Sequence, residues 1–283
     1  AVFTDKGCLK CSLCFICVLR HTAADINFPV TGVQSAISPQ DRSFNYGDGI
    51  FTTMQVRAGE IQLWPLHLQR LQRSAQRLMF GDIDWDLVTA QAHSAITMSE
   101  QVIKILISRG EGGRGYGYAG VTPPRIYVSS SAMPDYTEAQ KGICLGIATL
   151  QLAVQPLLAG LKHNNRLEQV LIKQQLLDST YDDLLVLDQL GFVTEASAAN
   201  VLFCRAGKWY TPELTRAGVA GVMRQNIMQQ LPVQEVNWQL DELNTVDAIA
   251  VCNALMGIVP VRRFCNRDLS LTPVQQLRTQ VVC

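Results

Sequence analysis

The feature that most constrains the fold is a series of short apolar segments separated by turn residues. In DDLLVLDQLGFVTEASAANVLFCRAGKWYTP, residues 182–212, the pattern predicts successive strands with turns at Gln189–Gly191 and Ala206–Lys208. Strands are also predicted in FPVTG, in the segment around FNYGDGIFTTMQVRAGEIQLW with a hairpin at Gly59, and in QVIKILISRG, PRIYVSSS, ICLGIATL and VDAIAVCNALMGIVPV. The chain is therefore expected to contain many short strands.

Amphipathic segments between these strands predict helices. PLHLQRLQRSAQRLMF has Pro65 in its first turn, and its buried face is expected to comprise Leu68, Leu71, Ala75, Leu78 and Met79. In NNRLEQVLIKQQLLD, Asn165 and Glu168 have the spacing of an N-cap and its partner. The stripe expected to be buried there comprises Leu167, Val170, Leu171 and Leu177. A further helix, VMRQNIMQQL, is expected to end at Pro232.

The connector AMPDYTEAQKG suggests a domain boundary near residues 131–137. It separates a smaller domain, residues 28–130, from a larger one, residues 138–283. The 24 Lys and Arg residues balance 24 Asp and Glu residues, so a nucleic-acid partner is not expected and a small-molecule substrate is favoured. Beyond residue 27, no apolar run approaches the roughly 18 residues that span a bilayer. The scattered cysteines suit reduced thiols, so a cytoplasmic protein without membrane association is expected.

Residues 1–27 require a separate interpretation. CLKCSLCFIC places Cys8, Cys11, Cys14 and Cys17 at three-residue steps, a spacing that could hold a metal ion or an iron–sulfur cluster. The usual cluster motif breaks this even spacing and is followed by proline, and this segment has neither feature. A secretory signal is also poorly supported, because Arg20 ends the apolar run. We interpret residues 1–27 as an extension without function and expect no metal site.

The segment GEGGRG, residues 110–115, fits the G-x-G-x-x-G pattern of dinucleotide-binding loops. A Rossmann loop must open directly into a helix, whereas YGYAGVTPP follows here. We therefore expect a flexible active-site loop whose Arg109 and Arg114 bind carboxylates, because guanidinium groups match carboxylate geometry. The histidines lack the spacing of a metal pair, and no G-x-S-x-G motif presents a nucleophilic serine.

Two segments have features of phosphate sites. In AGVAGVMRQNI, small residues lead into a helix whose first backbone N–H groups belong to Val222 and Met223 and can bind a phosphate. In CNALMG, a polar break after a buried strand could place Asn253 and the Ala254 amide against further phosphate oxygens. An ordinary helix start and a plain turn are the alternatives.

Lys162 acquires a possible role beside such a site, because a lysine can form a Schiff base with pyridoxal phosphate. The cofactor also needs an acidic partner for its ring nitrogen, and Glu195 in VTEASAANVLF follows a strand among small residues. Arg70, one turn beyond His67, could add a guanidinium to the phosphate. Each charge taken singly also fits a salt bridge or a solvated side chain.

Taken together, FNYGDGIFTT, HLQRLQRSAQRL, ISRGEGGRGYG, LKHNNRLEQVL, VTEASAANVLF, GVMRQ and CNALMGIVPV resemble the 4-amino-4-deoxychorismate lyase family, in the fold-type IV class of pyridoxal-phosphate enzymes. The resemblance runs from about Phe28 to the C-terminus. It implies an α/β (α+β) fold of two domains, with the cofactor between them, and a homodimer. It also implies conversion of aminodeoxychorismate to 4-aminobenzoate and pyruvate, a step towards folate. The alternative within the class is an aminotransferase for D- or branched-chain amino acids.

The resemblance also implies roles for individual residues. Lys162 matches the Schiff-base lysine and proton carrier, and Glu195 matches the partner of the pyridine nitrogen. The positions that match phosphate-binding residues are Arg70, Val222, Met223, Asn253 and Ala254. Thr52 and Thr53 resemble residues near the cofactor, and Thr53 is predicted to take part in catalysis. A cofactor-free protein that binds small carboxylates is the alternative from a different class.

Overall fold

A computed structural model describes residues 37–282, and these residues form two β-sheets with helices. The helices are α1 Arg42–Tyr46, α2 Trp64–Arg77, α3 Trp85–Ser94, α4 Thr137–Gln140, α5 Leu167–Leu177, α6 Val222–Gln230 and α7 Thr272–Gln280. The strands are β1 Gly49–Arg57, β2 Glu60–Ile61, β3 Gln101–Ser108, β4 Arg125–Ser131, β5 Ile143–Ile147, β6 Asp183–Leu187, β7 Val193–Ala196, β8 Asn200–Arg205, β9 Lys208–Pro212, β10 Val233–Val236, β11 Ala248–Asn253, β12 Gly257–Phe264 and β13 Arg267–Asp268.

The first half of the described chain forms a four-stranded sheet in the order β2-β1-β3-β4. All of its paired strands are antiparallel, and Gly59, with φ 80°, forms the predicted hairpin between β1 and β2. Apolar side chains of β1 and β3 pack against α2 and α3, with Ile50, Met54, Leu71, Val88 and Ile105 in the core between them. This packing fixes β1 and α2, which both contribute side chains to the site described below.

The second half forms a nine-stranded sheet in the order β10-β9-β8-β11-β12-β5-β6-β7, with β13 paired to β12. Its strands are mixed: β5 runs parallel to β6 and β12, whereas β7, β8 and β11 have antiparallel neighbours. The central strands are apolar on both sides, because helices and loops cover both faces of the sheet. The predicted α/β (α+β) fold class is confirmed.

The strands predicted after residue 48 are confirmed, as are the turns at Gln189–Gly191 and Ala206–Lys208. The strand-and-turn pattern predicted for ISPQDRSFNYGDG was wrong at RSFNY, which forms α1 because the Asp41 side chain caps its first N–H groups. Residues 132–142, which include α4, connect the two sheets, and the predicted boundary at residues 131–137 overlaps this connection. The division into domains 28–130 and 138–283 stays a prediction. The strand expected in FPVTG and the cysteine cluster of residues 1–27 lie outside the described residues. The segment GEGGRG lies in the loop between β3 and β4, which contains no helix.

The prediction for α5 was wrong in its cap and in its buried face. The helix begins at Leu167 after Arg166, Asn165 donates to the Gly47 carbonyl at 3.1 Å, and Glu168 accepts from the backbone N–H of Ala153 at 2.8 Å. The four residues expected to be buried are 56–78% exposed: Leu167, Val170, Leu171 and Leu177. The sheet contacts the opposite side of the helix, where Ile172 is buried. An exposed apolar stripe therefore runs along α5.

The buried face of α2 is more polar than predicted. Leu71 and Ala75 are buried as expected, but His67, Arg70 and Ser74 are buried with them. Met79, expected on this face, lies beyond the end of the helix with a left-handed backbone and is 65% exposed. Within residues 37–282, no helix combines the length and apolar character needed to cross a membrane.

Candidate active site

A cavity of about 630 Å³ has walls from both sheets. Strand β1 contributes Phe51 and Thr53, and α2 contributes Arg70. The larger sheet contributes Glu195 on β7, Asn200 at the start of β8 and Ala254 just beyond β11. The first residue of α6, Val222, also lines the cavity. Lys162 and Glu195 both line this cavity. The structure thus brings together charged residues that are far apart in the sequence.

The segment that carries Lys162 is held between β1 and a loop of the larger sheet. The Lys162 carbonyl accepts from the backbone N–H of Phe51 at 3.0 Å, and the N–H of Asn164 donates to the Gly49 carbonyl at 2.9 Å. On the other side, the Gly160 N–H donates to the Gly218 carbonyl at 2.9 Å. Gly160 has φ 78°, a conformation that favours glycine and turns the chain into this position. The backbone on both sides of Lys162 is therefore fixed by tertiary contacts.

The Lys162 amine lies in an environment that disfavours its charge. One contact favours the charged form, because Nζ lies 4.6 Å from the centroid of the Phe51 ring. Burial lowers the pKa of Lys162 to about 8, and the positive charges of Arg70, Arg166 and Lys104 act in the same direction, whereas Glu195 opposes them. About half of such an amine is neutral at pH 8, whereas an ordinary exposed lysine is almost fully protonated there. Lys162 is therefore suited to act as a nucleophile and as a base.

Arg70 is a buried cation whose side chain is only partly used by the protein. One of its terminal nitrogens donates to the hydroxyl of Thr52, and that hydroxyl lies 2.6 Å from Nδ1 of His67. Burial lowers the pKa of Arg70 to about 10 and that of His67 well below its ordinary value. Within the described part of the chain, Nε of Arg70 and Nε2 of His67 have no hydrogen-bond partner. A buried guanidinium with a free donor beside a cavity is suited to bind an anion.

Glu195 provides a buried carboxyl group on the opposite wall. It lies on β7, is 6% exposed, and its Oε2 accepts from the backbone N–H of Val219 at 2.8 Å. Burial raises the pKa of Glu195, while the Val219 N–H and the positive charges of Arg166 and Lys162 oppose this effect. The carboxyl group can therefore hold or share a proton with a basic ring nitrogen in the cavity.

The N-terminus of α6 opens into the same cavity. The helix begins at Val222, and Gly221 at its N-cap provides no capping side chain. The Gly221 N–H donates to Oδ1 of Asn200 at 3.0 Å, and a Cβ at residue 221 would collide with this oxygen. Glycine is therefore required for the close approach of β8 to the helix start. Val222 lines the cavity, whereas the side chain of Met223 is buried in the apolar core behind it.

Asn253 and Ala254 line the cavity at the end of β11, and their contact with phosphate stays a prediction. The Asn253 side chain is used within the fold, because Nδ2 donates to the Ala198 carbonyl at 3.1 Å and Oδ1 accepts from the N–H groups of Leu255 and Met256 at 2.9 Å. Asn253 therefore shapes this turn. Asn253 also pairs with Gly257 between β11 and β12, so the backbone of Ala254 is the group left to contact a ligand there.

The prediction that Arg109 is free on a flexible loop was wrong. Arg109 is 8% exposed, and its Nε donates to Oδ2 of Asp48 at 2.7 Å. Its terminal nitrogens donate to the carbonyls of Met79 at 2.8 Å and Leu78 at 2.7 Å, so the guanidinium is already engaged inside the fold. Arg114 is exposed on the β3–β4 loop and does not line this cavity. Its role as a carboxylate-binding residue stays a prediction.

Sequence reasoning missed other residues of the site, notably Phe51, Arg166 and Asn200. Arg166 lies four positions after Lys162 in KHNNR, and Phe51 follows the GDGI turn, so both adjoin motifs that were noticed. Neither position carries a chemical signal in the sequence. Among residues 37–282, no three His, Cys, Asp or Glu side chains cluster as a metal site requires.

The residues of the cavity fit pyridoxal phosphate. A lysine whose pKa is lowered to about 8 can bind its aldehyde, a buried carboxyl group can partner its ring nitrogen, and Arg70 with the α6 N-terminus can bind its phosphate. The cavity of about 630 Å³ provides space for such a ligand. The Nε of Arg70, which has no hydrogen-bond partner in the described residues, provides a donor for it. The fold and this site define a pyridoxal-phosphate-dependent enzyme of fold type IV.

A family model described as amino-transferase class IV matches residues 49–264, and the chain belongs to this family. The aminodeoxychorismate lyase of Vibrio harveyi is 38% identical over 243 residues, which are 83% of this chain and 90% of that protein. The crystal structure of 4-amino-4-deoxychorismate lyase from Pseudomonas aeruginosa has a TM-score of 0.81 and 36% identity, covering 87% of this chain and 94% of that one. The resemblance to the lyase family is confirmed.

A more distant structure shows the breadth of the fold. A hypothetical aminotransferase from Mycobacterium tuberculosis, in its PLP-bound form, has a TM-score of 0.77 at 18% identity and covers 89% of this chain and 95% of its own. At this identity the similarity concerns the fold alone. The same architecture therefore occurs in a protein described as an aminotransferase, which is the alternative for this chain.

Proposed function

We propose that this chain is an aminodeoxychorismate lyase, which converts 4-amino-4-deoxychorismate to 4-aminobenzoate and pyruvate in folate biosynthesis. The central observation is the partly buried Lys162, whose pKa is lowered to about 8, in one cavity with Glu195 and Arg70. The identity of 36–38% to two lyases over most of the chain favours this reaction over transamination. The substrate is thus a small molecule.

Several residues of the cavity have separate roles in this reaction. When bound, pyridoxal phosphate supplies an electron-withdrawing ring that stabilises negative charge at the amine-bearing carbon of the substrate. Lys162 holds the cofactor between turnovers and, once free, removes the proton from that carbon with its neutral amine. Glu195 keeps the ring nitrogen protonated, and Arg70 with the backbone N–H groups at the start of α6 binds the phosphate. We assign Thr53, on the cavity wall, to the same catalytic group.

The residues that would bind the phosphate would also hold the cofactor while Lys162 acts as a base. Arg70 is fixed by Thr52 within the core of the smaller sheet, and α6 is fixed against the larger sheet. The phosphate contacts therefore do not depend on the lysine bond. Release of pyruvate is favoured because the substrate ring becomes aromatic. The enzyme is regenerated without a second amino acceptor.

This difference from an aminotransferase provides the test. With aminodeoxychorismate as the only substrate, the protein should release 4-aminobenzoate and pyruvate in equal amounts over many turnovers, measured by chromatography and by a coupled lactate dehydrogenase assay. An aminotransferase would retain the substrate amine on its cofactor and stop after one turnover. A single turnover that resumes only when 2-oxoglutarate is added would identify the protein as an aminotransferase.

We also propose that the chain forms a homodimer through α5. Leu167, Val170, Leu171 and Leu177 form the apolar stripe of this helix and are 56–78% exposed. A contiguous stripe of exposed aliphatic side chains is typical of a protein interface. Val170 and Leu177 also line the cavity, so a second copy placed on the stripe would shield the cavity opening from water. The proposed second copy therefore protects the chemistry of the site.

Replacement of Leu171 by Asp should separate the dimer, because it places a carboxylate in an apolar interface. Light scattering after size-exclusion chromatography should give about twice the 31.3 kDa of one chain for the wild type and about 31.3 kDa for the variant. Leu87→Asp is the matched control, since Leu87 is 46% exposed on α3 and lies off the stripe. A wild-type protein with the mass of one chain would rule out this proposal.

We infer a cytoplasmic location from the thiols of the described residues. Cys144, Cys204 and Cys265 are not in disulfides, although two of them are only partly buried. Burial raises the pKa of Cys204 and of Cys265, which disfavours the reactive thiolate. Reduced cysteines of this kind suit a reducing compartment.

We further propose that residues 28–130 and 138–283 are the two domains that flank the cofactor.

A further inference from the structure

Arg166 holds the backbone on both sides of Lys162. Its Nε donates to the carbonyl of His163 at 2.7 Å, and its Nη2 donates to the carbonyl of Leu161 at 3.0 Å. The planar guanidinium presents these donors in a fixed fork, so the two carbonyls cannot move independently. The Lys162 carbonyl between them accepts from the Phe51 N–H at 3.0 Å. All three carbonyls around the lysine are therefore fixed.

Arg166 is also a partly buried cation in the cavity that contains Lys162 and Glu195. Its positive charge lowers the pKa of the Lys162 amine and the pKa of the Glu195 carboxyl group. In return, the negative charge of Glu195 favours the charged form of Arg166, against the effect of burial. One charge thus favours both the neutral amine and the ionised carboxylate, which are the two forms that the proposed chemistry uses.

The other charged groups near Lys162 do not replace this effect. They are Arg70 and His67 on α2, Lys104 on β3 and Glu195 on β7. Lys173 on α5 lines the same cavity, but its Nζ lies 3.9 Å from Asp183. A bound phosphate would offset the charge of Arg70, and the pKa of His67 lies well below its ordinary value, so its ring is neutral. Lys104 reaches the Phe51 ring, 4.9 Å from its centroid, and contributes less to the pKa of Lys162 than Arg166 does. Arg166 supplies positive charge that the phosphate does not cancel.

We propose that Arg166 is a positioning residue for the reaction proposed above, which fixes the Lys162 backbone and places a partly buried positive charge in the cavity shared by Lys162 and Glu195. The proposal rests on the assignment of Lys162 as the lysine that carries the cofactor. A purely structural role is the alternative. The structure contains such a residue for comparison, because Arg77 also binds carbonyls of the same loop, those of Ala159, Pro156 and Leu157 at 2.8–3.1 Å. Arg77 lies outside the cavity.

The test measures how fast the cofactor-free, full-length protein binds pyridoxal phosphate at different pH values, from the absorbance of the lysine-bound cofactor. Only the neutral amine reacts, so the wild-type rate should rise with a midpoint near the pKa of Lys162, about 8. Arg166→Gln should raise this midpoint by about one pH unit, because loss of a nearby positive charge favours the protonated amine. Arg77→Gln should leave it unchanged.

Arg166→Lys keeps the positive charge but removes the planar guanidinium that binds the two carbonyls. It should keep the wild-type midpoint within a few tenths of a pH unit but release the bound cofactor about tenfold faster, because an ammonium group cannot hold two carbonyls as a guanidinium does. If Arg77→Gln and Arg166→Gln shifted the pH midpoint of cofactor binding equally, the proposal would be overturned. A folded Arg166→Gln protein with the wild-type pH midpoint would also overturn it. If Arg166→Gln does not fold, wild-type cofactor release from Arg166→Lys would overturn it.

This measurement does not require aminodeoxychorismate. Its outcome is therefore independent of the reaction that the loaded enzyme performs. A protein that shows the expected shift but produces no 4-aminobenzoate would refute the lyase proposal and support the role of Arg166.

Discussion

Replacement of Lys162 by Ala should abolish the visible absorbance of the purified protein, expected at roughly 400–430 nm for a cofactor bound to lysine. It should also reduce turnover by at least about three orders of magnitude, because the same amine serves as covalent attachment and as base. The change removes a partly buried amine whose pKa is lowered to about 8 and leaves the backbone contacts of residue 162 in place. Absorption spectra and 4-aminobenzoate formation measure the two effects.

Lys173→Ala is the control for this variant. Lys173 lines the same cavity from α5, but its side chain is 48% exposed and its Nζ lies 3.9 Å from Asp183. It should retain the absorbance band and turnover within about tenfold, because an exposed ion pair contributes little. If the Lys162→Ala protein kept both the band and its activity, Lys162 would have no part in the mechanism.

Replacement of Glu195 by Gln should slow turnover by about two to four orders of magnitude while the cofactor remains bound. The amide can still accept from the Val219 N–H, so the local structure should persist. It cannot provide the negative charge that keeps a ring nitrogen protonated. Cofactor content, measured after alkaline release, should therefore stay close to that of the wild type while the turnover number falls.

Glu168→Gln is the matched control for this second change. Glu168 also accepts from a backbone N–H, that of Ala153 at 2.8 Å, but it does not line the cavity that contains Lys162. Its turnover should be within a few-fold of the wild type. An unchanged turnover number in Glu195→Gln, measured at saturating substrate, would reject Glu195 as the partner of the ring nitrogen.

The elements of the fold were largely predictable because their signals are local. Alternating apolar residues and glycine turns predicted β3, β4 and the strands from Asp183 to Pro212, and all of them are present. Helices α1, α3, α4 and α7 were not predicted. In α3 only Val88 and Ala92 are buried, so its apolar stripe is short and its periodicity weak.

Lys162, Glu195 and the start of α6 could be singled out from the sequence because each lies in a distinctive local motif. Their positions in one cavity confirm that the motifs converge, while their individual roles stay proposals. The sequence could not show what a long polar side chain would contact. Arg109 binds the carbonyls of Leu78 and Met79, about thirty positions away in the chain. Only the packing of α2 against the sheet brings these carbonyls within reach.

The same limit explains the error on α5. Its sequence correctly determined a helix with a stripe of leucines and valine, since helical periodicity is a local property. Whether this stripe faces the sheet or the solvent depends on the side of the helix that the sheet covers, and the sheet covers Ile172. The sequence by itself thus determined the types of the elements and the chemical groups of the site. The tertiary structure decided the environment of each side chain, because burial, charge and hydrogen-bond partners come from distant parts of the chain.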